Sequence, residues 1–188
     1  MRKIKKILMI LAVLALTFML SGCFFSKQQI VIDPEGRADI TISFWFETGI
    51  GGSETEGSIA MSQLLFAFQE IQTYEMITEI KKETEDMFAD KYLVYTFKKQ
   101  NVDIAANRYV NFNKKDDGSY YFEAKIPKAL TEKVEESNNK KIVTISVNLP
   151  QEIEMANSLH YEGKSVEWEL RTNDFTTDII LRAFTKTP

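Results

Sequence analysis

One cysteine and one histidine in 188 residues narrow the chemistry before any pattern is read. A lone Cys23 forbids an internal disulfide and a thiolate metal site, so packing alone must hold the folded part together. A lone His160 rules out a histidine-based metal site. It also leaves any Ser-His-Asp or Cys-His arrangement hanging on one residue in the loop-like stretch Ser158, Leu159, His160, Tyr161. Positive charge is short too: 23 Lys and Arg against 27 Asp and Glu give −4 at pH 7, without the basic footprint that nucleic acid requires. Gly49-Ile50-Gly51-Gly52-Ser53 lacks the Gly-Lys-Ser/Thr ending of a phosphate loop. No metal, cofactor or catalytic residue is therefore expected. A hydrolase using carboxylates or His160 stays open but unsupported, because the carboxylates fall mostly on polar faces.

What is present begins at the N-terminus. Arg2, Lys3, Lys5 and Lys6 precede an apolar run from Ile7 to Leu20, broken by Thr17, and Leu20-Ser21-Gly22-Cys23 closes it. A basic start, a short apolar middle and small residues at the exit describe a secretory signal peptide. The run falls short of the roughly 20 apolar residues that a membrane span needs. Cysteine directly after Leu-Ser-Gly is similar to the bacterial lipobox, in which the thiol is diacylated (palmitate-type chains) and becomes the first residue of the mature chain. Residues 1–22 are then a cleaved signal peptide, 23–28 a lipidated N-terminus and tether, and 29–188 one folded domain. Losing four cations takes the net charge from −4 to −8. The expected address is the cell membrane, lipid-anchored on its extracytoplasmic face, since a diacylated cysteine supplies the two signals that stable attachment needs.

Along the domain, residues 29–33 read as a short strand, ended by the turn Asp33-Pro34-Glu35-Gly36. Residues 37–47 alternate, with Ile40, Ile42, Phe44 and Phe46 on one face and Asp39, Thr41, Ser43, Trp45 and Glu47 on the other, which predicts a half-buried strand paired with the first. Trp45 on the wetter face is expected to be covered by a neighbouring loop or helix. Residues 48–57 read as a loop. From Ser58 the spacing changes: Met61, Leu64, Leu65, Phe68 and Ile71 form a helical stripe, and residues 75–91 repeat it with Ile77, Ile80, Met87 and Phe88. Strands follow over residues 92–98, 108–113 and 119–126, the last two joined by a hairpin with Asp117-Gly118 at its tip. Pro127 is expected to open a short helix carrying Leu130 and Val134. Residues 141–149, 165–170 and 177–185 close the chain as strands. The fold class is α+β: a mostly antiparallel, curved sheet of about eight strands, packed by two amphipathic helices and a short third.

Aromatic residues make up 12% of the chain, and a curved sheet closed by helices encloses an apolar pocket readily. The expected pocket is lined by Ile42, Phe44, Phe46, Leu65, Phe68 and Trp168.

One group of proteins shares this order of features. A lipobox comes first, then Ile32-Asp33-Pro34-Glu35-Gly36-Arg37-Ala38-Asp39-Ile40-Thr41-Ile42, a helical middle, and a late Leu149-Pro150-Gln151-Glu152-Ile153, Asn157, Gly163 and Val166-Glu167-Trp168-Glu169-Leu170. Together they resemble the LppM-type bacterial envelope lipoproteins. The resemblance implies an α+β domain on the membrane surface and a role in binding lipid or glycolipid. It carries across no catalytic residue. The sequence ends at Pro188, without the C-terminal membrane segment that many such proteins carry. Two readings of function lead from here. In one the domain binds an apolar ligand such as an envelope lipid; in the other it is a structural lipoprotein that docks on another envelope protein.

Overall fold

The computed structural model describes residues 24–47, 75–81, 92–104 and 109–188. Through them run eleven strands: β1 (Phe24–Ile32), β2 (Arg37–Glu47), β3 (Glu75–Lys81), β4 (Tyr92–Asp103), β5 (Val110–Lys114), β6 (Tyr120–Ile126), β7 (Lys141–Asn148), β8 (Ile153–Ala156), β9 (His160–Glu162), β10 (Ser165–Arg171) and β11 (Ile179–Thr185). They make a seven-stranded sheet, ordered β3-β4-β2-β1-β7-β10-β9, and a four-stranded sheet, ordered β5-β6-β11-β8. Neighbours are antiparallel except β1 and β7, which run parallel in the middle of the larger sheet.

Local chemistry explains the hairpins. Asp33 Oδ1 accepts from the N–H groups of Glu35 (3.0 Å) and Arg37 (2.7 Å), which bends the chain after β1. Gly36 sits there at φ +80°, where a side chain is strained. The β5–β6 hairpin repeats the device: Asp117 Oδ1 accepts from Ser119 N (2.9 Å), and Gly118 takes φ +83°.

The two sheets pack face to face. From the larger come Ile32, Ala38, Val143, Ile145, Val147, Val166, Trp168 and Leu170; from the smaller Phe122, Ile153, Leu181 and Ala183. Phe122 meets Trp168 across the gap, ring centres 6.2 Å apart. Four consecutive residues of β7, Ile142 to Ile145, are buried, as suits a central strand covered on both faces.

The α+β reading is overturned: the described residues are strands and irregular connections, with helix only as 3₁₀ turns at Glu136–Asn138 and Thr172–Thr176. The first expected helix, residues 58–71 with Leu65 and Phe68, lies outside the described residues. The second fails at its start, because Glu75–Lys81 is strand β3. Its Met76, Thr78 and Ile80 register opposite Phe97, Tyr95 and Leu93 of β4, so a run whose Ile77–Ile80 spacing suits a helix is claimed by the pairing capacity of a long neighbour. Residues 82–91 are not described. The third helix, from Pro127, is absent because its backbone bonds elsewhere. Ala129 and Leu130 N–H both donate to Phe175 O (2.8 and 2.9 Å), and Val134 N–H donates to Asn173 Oδ1 (2.8 Å). Instead of about eight strands there are eleven among the described residues; β8 was not expected, and β9 falls in the stretch around His160 that was expected as a loop. Residues 24–28, expected as a tether, are the first half of β1.

Candidate functional site

Register fixes what gathers where β1 begins. Ser26 is opposite Phe44 on one side and Val143 on the other, and Phe44 is opposite Tyr95. Gln28 is opposite Ile42 and Ile145, Ile42 is opposite Phe97, and Ile145 is opposite Trp168. Because paired residues share a face, two rows run across the inward side of the larger sheet. Each row is apolar at both ends and polar in the middle, at Ser26 and Gln28.

Those polar residues separate two apolar fields. On the β7–β10 side lies the core between the sheets. On the β2–β4 side Ile42, Phe44, Tyr95 and Phe97 are buried, none more than 8% exposed, and they stand outside that core. Phe44 and Phe97 meet edge to face at 5.8 Å. Chemically this is a buried apolar strip with the polar groups of Ser26 and Gln28 at its margin.

The other face of the same strands carries a second cluster. Phe25, Trp45 and Val94, neighbours on β1, β2 and β4, are buried together. Lys27 Nζ lies 4.7 Å from the Trp45 ring centre and 5.8 Å from that of Phe25, and Lys141 Nζ is also 5.8 Å from Phe25.

Of the residues singled out from the sequence, Ile42 and Phe44 lie side by side on β2. Phe46 continues that strand. Trp168 is in the same row as Ile42 but three strands beyond it, within the inter-sheet core, where its Nε1 donates to Asn157 Oδ1 (3.0 Å). Leu65, Phe68 and Cys23 lie outside the described residues. Tyr95, Phe97, Ser26 and Gln28 were not singled out. The alternation of Leu93, Tyr95 and Phe97 marks the first two, whereas nothing local marks Ser26 and Gln28.

His160 is exposed on β9. Only its backbone meets Ser158: the His160 N–H donates to Ser158 Oγ (3.1 Å), and that hydroxyl donates to the Glu167 carbonyl. The pair is a loop clip, not a nucleophile with its base. An ionic group lies on the outer face of the smaller sheet. There the Tyr121 hydroxyl (2.5 Å) and Arg182 Nε (2.7 Å) both donate to Glu123 Oε2. Those bonds hold the Glu123 carboxyl below its usual range, while partial burial, then the bond to Glu123, pushes the Tyr121 hydroxyl up. Among the described residues no three His, Cys, Asp or Glu side chains group so as to hold a metal ion.

Compared with known proteins, the chain matches no family model and no curated protein. Among solved structures it is similar to the folded domain of LppM from Mycobacterium tuberculosis, determined by NMR, at 14% identity and a TM-score of 0.46, over 87% of this chain and 90% of that one. The likeness concerns the chain path alone.

Proposed function

We propose that the chain is an exported lipoprotein, cleaved before Cys23, diacylated on that thiol and held on the extracytoplasmic face of the cell membrane, and that its β domain binds the acyl part of an envelope lipid. Its role is binding, not catalysis. The observation that carries this reading is the start of β1 at Phe24, directly after the lipobox cysteine. Ser26, opposite Phe44, is three residues from Cys23, no more than about 10 Å of chain. The buried apolar strip of Ile42, Phe44, Tyr95 and Phe97 thus starts within that reach of the anchor, and each acyl CH₂ that packs into it contributes roughly 0.8 kcal/mol.

Two experiments test the two halves. Expressed in a bacterium fed labelled palmitate, the full chain incorporates label and the Cys23→Ser variant does not; equal labelling refutes the anchor. Residues 24–188 take up a fluorescent fatty acid that unlabelled phospholipid displaces, and Phe44→Ala weakens uptake several-fold while circular dichroism is unchanged. No uptake by the folded domain refutes the ligand reading.

Docking on another envelope protein is the second reading, and specific side chains favour it. Leu159 is 96% exposed, Met155 is 56% exposed, and Tyr161 and Ile180 are also left in water around β8, β9 and β11. Crosslinking in the native envelope tests it: a discrete partner captured through position 159 supports docking, and none counts against it.

A further inference from the structure

We infer that the end of the larger sheet next to Cys23 is a seat for anionic lipid head groups, which fixes how the domain stands on the bilayer; the inference rests on Cys23 being the lipid anchor. β1 and β7 are parallel and start at the same end of the sheet, where β2 and β10 finish. Register puts Lys141 opposite Arg171 and Trp45 opposite Phe25. Lys27 therefore stands beside Phe25 and Trp45, Lys141 beside Phe25, and Arg171 opposite Lys141, in a chain whose net charge is negative. Carboxylates lie at this end too: Glu169 accepts from Lys141 Nζ at 2.9 Å, and Asp174 accepts the Arg171 backbone N–H at 2.6 Å. Arg171 Nη1 also donates to Asn139 O, which holds the guanidinium at this end. Lys27 and Lys141, both partly buried, hold their ammonium groups over the buried rings of Phe25 and Trp45, a pairing of lysine with aromatic that suits a membrane interface.

The anchor settles which surface this end meets. Phe25 follows Cys23 by two residues, so at most about 7 Å of chain separates the Phe25–Trp45 pair from the lipidated thiol. Within that reach, phosphate-bearing head groups join Glu169 as the anions that Lys141 meets. Each lysine beside an anionic surface is worth roughly a fivefold shift in the ratio of seated to lifted domain.

Two tryptophans make the test direct, because Trp45 is at the seat while Trp168 is level with Gln28 and two strands away. The lipidated full chain, purified from membranes as Trp168→Phe or Trp45→Phe, is placed in vesicles of phosphatidylcholine alone or mixed with phosphatidylglycerol, with a nitroxide on the head group as quencher. Trp45 is expected to be quenched more than Trp168, more in the anionic vesicles than in neutral ones, and less after Lys27→Gln with Lys141→Gln or in high salt. Quenching of Trp45 that does not exceed that of Trp168, or that ignores both lipid charge and the lysine changes, overturns the seat. The intact mass of the same preparation separates the two failures. A diacylated chain without preferential Trp45 quenching loses the seat and keeps the anchor, whereas a chain without acyl mass loses both.

Discussion

Replacing Asn157 with alanine unties three bonds with one change. The Asn157 Oδ1 accepts from Trp168 Nε1 at 3.0 Å and from Arg182 N at 2.7 Å, and its Nδ2 donates to Ile180 O at 2.6 Å. The costs differ by location. Arg182 and Ile180 are exposed, so water replaces the lost partner for their backbone groups. Trp168 is 5% exposed in the inter-sheet core, and its indole N–H is left without an acceptor there. An orphaned buried donor costs about 1–3 kcal/mol, and with the two solvated groups the variant loses about 2–3 kcal/mol in all. The assay is urea unfolding of residues 24–188 followed by far-ultraviolet circular dichroism, which does not depend on tryptophan signal. Trp168→Phe removes the donor itself, so in that background Asn157→Ala costs only about 1 kcal/mol, a coupling of about 1–2 kcal/mol. A single-variant loss below about 0.5 kcal/mol, or equal losses in both backgrounds, would refute the reasoning.

Phe122→Ala empties the contact with Trp168 between the sheets and is expected to cost about 3–5 kcal/mol in the same unfolding assay; a loss within error would mean that the sheets do not share this core. Gly36→Ala places a side chain at φ +80°, with its Cβ 3.5 Å from the Phe112 ring, an ordinary contact. The conformation alone sets its cost at about 1–2 kcal/mol, and an unchanged urea midpoint would contradict it. Acid should expose the Glu123 cluster. Its carboxyl, held low by Tyr121 and Arg182, contributes stability above the unfolded carboxylate pKa of about 4.3, and that contribution disappears as pH falls through the lower folded value. Melting temperatures between neutral and acidic pH should therefore fall less steeply for Glu123→Gln than for the parent chain, and parallel curves would rule the linkage out.

Elements fixed by adjacent residues were legible from the sequence. The Asp33-Pro34-Glu35-Gly36 turn, the alternation of β2, and the strands β7, β10 and β11 follow from side-chain period and turn chemistry, which are local. Elements fixed by distant partners were not. Ile77 and Ile80 are spaced for a helix and fall on opposite faces of a strand, so the pairing of Glu75–Lys81 with β4 overrides the local pattern. The segment after Pro127 has the propensities of a helix, yet its N–H groups bond to Asn173 and Phe175. Ser26-Lys27-Gln28-Gln29 looks like a tether because it is polar and unpatterned, and it is a strand because β2 and β7 flank it. The same reason governs the site. Ile42 and Phe44 announce themselves by alternation, but the row that separates Ile42 from Trp168 exists only in the sheet order.

Native mass spectrometry of residues 24–188, before and after organic extraction, bears most directly on the proposal that this domain holds an apolar lipid. The predicted result is a non-covalent adduct with the mass of a phospholipid or fatty acid that disappears on extraction and returns when the lipid is added back. A clean chain mass in both samples, with no uptake of added lipid by the folded domain, would contradict it.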